Sequence, residues 1–196
     1  MSSPFIETAR TGSPGAAADT ARASDRLRNL YYVRFGFAVI WAALVALTAS
    51  DLNPASVALL VVYPVFDVVA AVVDFRSSGA ARPRALLRVN MALSLLTAAG
   101  LGVAVASGIP DVLRVWGAWA ITAGIVQLAV ALARYRLGAQ WAMILSGGIS
   151  ALAGARFLLT ADEADSLTSV AGYATLGGVF FLLSAARLHR RAGRAA

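Results

Sequence analysis

Six long apolar runs separated by short polar linkers set the plan of this chain. They cover about residues 31–49, 55–75, 86–106, 112–133, 141–161 and 167–187. Each is close to the ~20 residues that an α-helix needs to cross a bilayer. None alternates with period two, and strands in lipid require a closed barrel, so the runs predict helices. Short linkers predict that sequence neighbours pack as three tandem antiparallel hairpins. The expected fold is therefore all-α: a polytopic six-helix membrane domain over residues 30–189, between a tail at 1–29 and a basic tail at 190–196. The first tail is rich in Ala, Ser, Thr, Gly and Pro and is expected to be mostly disordered. Within it, "ASDRLRNLYY" reads as a short helical lead-in capped at Ser24.

The polar linkers carry the orientation. Arg22, Arg26 and Arg28 precede the first run, and Arg76, Arg82 and Arg84 follow the second. Arg134 and Arg136 follow the fourth, and Arg187, Arg190, Arg191 and Arg194 stand at the C-terminal end. The intervening linkers hold Asp51, Asp111, Asp162, Glu163 and Asp165, and no Arg. This alternation, with an even number of spans, predicts that both termini are cytoplasmic. Tyr31, Tyr32, Tyr135 and Trp141 stand at the Arg-rich ends, where amphipathic rings favour the interface; Trp116, Trp119 and Tyr173 lie toward the other ends.

Composition agrees with lipid as the solvent. Hydrophobic residues make up 59% of the 196, and charged residues only 14%. The net charge of +7 comes entirely from Arg, since the chain has no Lys. These cations cluster between apolar runs, which points to anionic lipid at the cytoplasmic Arg clusters and not to nucleic acid. The absence of cysteine excludes disulfides, thiol catalysis and Cys-type zinc sites.

Small residues recur at helical spacing. Gly147, Ala151 and Ala155 repeat every fourth position with Gly154 beside them, and Gly124 and Gly178 stand in the fourth and sixth runs. Such faces let membrane helices approach closely, within one copy or between copies as a homo-oligomer or with a membrane partner. Aligning Arg34 with Arg88, Gly36 with Gly147, Trp119 with Tyr173 and Gly124 with Gly178 suggests three hairpins in parallel repeat.

"WGAWAITAGIVQLAVALARYRLGAQWAMILSGGISALAGARFLL" (116–159), continued by "YATLGGVFFLLSAARLHR" (173–190), resembles the HdeD-like acid-resistance membrane protein family. The resemblance covers about residues 30–190. It implies a small six-span protein of the bacterial cytoplasmic (inner) membrane that supports envelope or stress tolerance, with no catalytic residues and no cofactor. The first hairpin, with Pro64 and Asp67, fits the pattern least.

Asp67 is the exceptional residue. It lies twelve residues after Ala55, so about 18 Å into a ~30 Å apolar layer. A carboxylate there costs about 3 kcal/mol, against roughly −4 to −7 kcal/mol from the twelve Leu, Val and Phe residues of the same run. The helix inserts, and the carboxylate must find protein or water. Tyr63, Asp67 and Asp74 share one helix face, and Pro64 takes a donor from the Leu60 carbonyl one turn away. Candidate partners are Arg34, which is closer in depth to Asp74, and Arg88 and Asn90 on the third run. Two readings follow: a structural clasp in a non-enzymatic membrane protein, or a proton- or solute-binding carboxylate in a small transporter or channel.

The only histidine, His189, lies in the basic C-terminal segment, so a bundle-centred metal site is not expected and no metal is assigned. Phosphate-loop and dinucleotide patterns are missing: "SGGISALAG" lies inside an apolar run with no strand before it. An enzyme is not expected.

Overall fold

The computed structural model describes residues 14–76, 83–137 and 140–195. Six α-helices account for most of them: α1 (Pro14–Leu47), α2 (Pro54–Arg76), α3 (Arg84–Ala104), α4 (Ile109–Ala133), α5 (Trp141–Leu159) and α6 (Thr168–Ala195). Each contains a segment long and apolar enough to cross a membrane, from Ser24–Leu47 in α1 to Thr168–Arg190 in α6. No described residue is in a strand.

Local chemistry sets the helix ends. Asn53 caps α2 by accepting from the Ala55 and Ser56 N–H groups at 2.9 and 3.1 Å, with Pro54 in the first turn. Gly108, at φ 100, makes the left-handed turn that starts α4. Residues 14–22 are helical where the sequence predicts a mostly disordered tail, and the lead-in predicted over 23–32 continues the same helix, so Ser24 lies inside α1 and does not cap it. Their Ala content favours helix, Asp25 pairs with Arg28 at 2.8 Å, and Leu27 is buried in an apolar cluster with Tyr31 and Leu188. Residues 190–195 likewise continue α6. Residues 1–13 and most of the linker with Arg82 lie outside the described residues.

The helices close into a ring in chain order, with α1 meeting α6. The closest packings are α4 on α5, then α1 on α6, then α2 on α3. The expected hairpins α1–α2 and α5–α6 are the looser seams. Both kinds of linker are short, so connectivity does not choose the closest neighbour; at α4–α5 and α1–α6 small residues do. A methyl group built on Gly124 would stand 2.7 Å from the Gly147 carbonyl oxygen, and one on Gly154 would stand 2.5 Å from that of Gly117. Gly178 faces Ala38 of α1 at 3.2 Å by the same measure, and Ala151 backs onto Gly124. The three closest pairings are those between one expected hairpin and the next.

The interior holds polar groups among its apolar residues. Ser56, Asp67, Asp74, Ser94, Arg134, Gln140 and Ser150 are buried, while Leu47, Leu96, Val103, Leu152 and Leu159 point outward with 70–84% of their surface exposed. That arrangement suits hydrocarbon surroundings.

Candidate functional site

Asp67 sits on the inward face of α2, 6% exposed. Its Oδ1 accepts from the Arg34 guanidinium of α1. Its Oδ2 accepts from Asn90 Nδ2 at 2.5 Å and from Ser94 Oγ at 2.9 Å, both on α3. Trp119 of α4 in turn donates its indole N–H to Ser94 Oγ at 3.1 Å. Four helices therefore meet at one carboxylate. The Arg34 guanidinium also lies 4.7 Å from the centre of the Phe181 ring on α6.

Arg34 was expected to favour Asp74. It takes Asp67 instead, because Arg134 occupies Asp74: Arg134 Nη2 donates to Asp74 Oδ2 at 2.8 Å. Arg134 was expected in the exposed linker "RYRLGAQ", yet it is only 4% exposed. Arg88, a candidate donor to Asp67, points away from it. Its guanidinium lies 5.4 Å from the Phe75 ring, beside that of Arg84 at 5.7 Å. Tyr63 shares the cavity with Asp67 and Asp74. Pro64 is buried inside a continuous α2, and the carbonyl that gains a donor there is that of Leu59, which accepts from the Trp41 indole at 2.7 Å.

A second hydrogen-bond chain mirrors the first. Ser150 of α5 donates to the Ala120 carbonyl at 2.9 Å, so the Tyr173 hydroxyl, 2.6 Å away, is the donor to Ser150. In both chains an aromatic donor on one helix reaches a serine on the preceding helix, which donates to the helix before that. The alignment of Trp119 with Tyr173 anticipated their equivalence; the two serines carried no signal among so many small residues. Gln127 donates across to the Met143 carbonyl at 3.3 Å.

These groups surround a cavity of about 120 Å³ lined by residues of all six helices. Toward the acidic linkers it ends at a block of rings. Trp41 stacks on Trp116 with centroids 5.5 Å apart, and Trp119 meets Trp116 edge-on at 5.4 Å. Tyr63 contacts all three, backed by fully buried Leu60, Leu101 and Leu113. Trp116 and Trp119 lie toward the acidic-linker end of α4, as the sequence places them, with their rings buried in this block. Toward the Arg-rich linkers, Tyr31, Asp74, Leu87, Arg134 and Gln140 line the cavity and are all buried. Tyr135 and Trp141 do lie outward at that end, with the Arg187 guanidinium 3.9 Å from the Trp141 ring centre. Among the described residues no three His, Asp or Glu side chains gather as metal ligands would.

The enclosed charges balance, two guanidinium groups against two carboxylates. What the arrangement offers a guest is hydrogen bonding: guanidinium, amide, hydroxyl and indole groups on walls that are otherwise apolar. No family model, curated protein or solved structure matches the chain.

Proposed function

We propose that the chain is a non-enzymatic multi-pass protein of the bacterial inner membrane that holds a small molecule between its six helices. The class is that of a small transporter, and the Arg34–Asp67–Asn90 cluster is the polar end of its site. One observation carries this reading: a single cavity touched by all six helices and walled by two buried ion pairs. Polar groups this deep in a membrane domain are costly and mark binding sites and pathways. The Arg-rich linkers support cytoplasmic termini. The test is organic extraction of the detergent-purified chain followed by mass spectrometry. A molecule present in stoichiometric amount, and lost from the Arg34→Gln/Asp67→Asn double variant, supports the reading. An empty wild-type chain whose proteoliposomes pass neither protons nor small solutes refutes it.

A second reading is favoured by the guanidinium already seated on Asp67. Three donors from two neighbouring helices hold that carboxylate, which makes the cluster a clasp in a protein of envelope or acid-stress tolerance, in keeping with the HdeD-like resemblance. It expects Asp67→Asn cells to survive acid as well as wild type. Loss of survival at normal protein abundance counts against it.

A further inference from the structure

Rings close the cavity toward the acidic linkers and buried residues line it toward the Arg-rich ones, whereas its one exposed lining residue, Leu176, lies in the wall. Its lining side chains reach the outer surface at the seam between α5 and α6. Leu176, which is 43% exposed, lines the cavity there with Ile149 and Phe180. Gly177 stands between them, and a methyl group built on it would meet no atom within 4 Å. This seam is also one of the two looser ones in the ring. It is pinned on one side of the gap by Tyr173 on Ser150 and on the other by Arg187 over Trp141. Ile149 lies midway along α5, so the gap lies near the middle of the apolar layer.

From this geometry we propose that the ligand comes sideways out of the bilayer: an uncharged, ring-sized polar head on an apolar chain, with the head in the cavity and the chain in the α5–α6 gap. This rests on the small-molecule reading above and names its substrate class. Size sets the head, because about 120 Å³ is close to the ~150 Å³ cavity that accepts benzene. Charge sets its neutrality. Arg34 and Asp67 cancel, as do Arg134 and Asp74, and a charged head would face a costly path through hydrocarbon. Hydrogen bonding sets its chemistry, because Arg34 carries five N–H donors, of which Asp67 takes only some, and Asn90 and Tyr63 also line the cavity. A head bearing carbonyl or hydroxyl oxygens, as in an alkylated quinone or phenol, matches these walls.

The test uses the full chain in lipid nanodiscs. Decyl-benzoquinone is titrated while tryptophan emission is followed, since Trp119 lines the cavity. Duroquinone serves as the probe without a chain. The expected result is saturable quenching by decyl-benzoquinone and at least tenfold weaker binding of duroquinone. Gly177→Leu and, from the facing helix, Ile149→Phe should each weaken the decyl probe at least tenfold. Leu96→Phe, on the lipid-facing side of α3, should not. Equal binding of both probes, unaltered by Gly177→Leu and Ile149→Phe, would overturn lateral access yet leave the small-molecule reading standing. No saturable binding of either probe would overturn the ligand class, while the extraction experiment decides the reading beneath it.

Discussion

Arg134 at the end of α4 donates to Asp74 at the end of α2, at 2.8 Å, with 4% and 9% of the two side chains exposed. The pair bridges 60 residues and two helices that are not neighbours in the ring. Removing one partner leaves a buried charge, which costs about 3–5 kcal/mol. Asp74→Asn and Arg134→Gln should each lower the unfolding midpoint in detergent sharply. The double variant should recover most of the loss, because neither charge then remains. Additive losses in the double variant would contradict a direct pair.

The glycines of α4 and α5 give a second prediction. Gly154→Ala places a methyl group 2.5 Å from the Gly117 carbonyl oxygen, and Gly124→Ala places one 2.7 Å from that of Gly147. Both helices must move apart, at about 1–3 kcal/mol per site. Gly148, one residue from Gly147, faces open space. Gly148→Ala should be neutral or stabilising by up to about 1 kcal/mol. Thermal unfolding of the three single variants separates a packed face from a lipid-facing one.

How much of this was legible in the sequence depends on which force decides each feature. The spans were legible, because hydropathy over ~20 residues is what a bilayer reads. Asp67 was legible as a carboxylate in need of partners, with Asn90 and Arg34 among the candidates, but depth alone pointed Arg34 to Asp74. Arg134 was not. It follows the last residue of α4, where an Arg normally reaches water, and only the fold turns it inward onto Asp74. Arg88 misled for the opposite reason, since it has suitable depth but lies on the face that carries it over Phe75. The closest helix pairings were also hidden, because contact between Gly124 and Gly147 or between Gly178 and Ala38 is decided by interdigitation and not by linker length.

Two buried indoles give a third prediction. Trp41 donates to the Leu59 carbonyl, whereas Trp116 Nε1 has no hydrogen-bond partner among the described residues. Both rings stack in the same block. Trp41→Phe loses ring area and the hydrogen bond to the Leu59 carbonyl. Trp116→Phe loses ring area but removes an orphaned donor. Trp41→Phe should be the more destabilising by about 1–3 kcal/mol. Equal costs would mean that the Leu59 contact contributes nothing.

Orientation gives a fourth. The native chain has no cysteine, so single cysteines report without background. Asp165→Cys, in the acidic linker, should react with a membrane-impermeant maleimide on intact spheroplasts. Arg136→Cys should react only after the membrane is opened. The reverse pattern would place the termini outside.

Pairing α1 with α6 has a consequence for biogenesis. Ala38 and Ala42, on the face that α1 turns inward, must wait for α6 to leave the ribosome, because their partner surface includes Gly178. Until then the newborn protein has an unsealed flank within the membrane. Nascent chains stalled before residue 168 should therefore be the ones that insertion chaperones hold and membrane proteases remove.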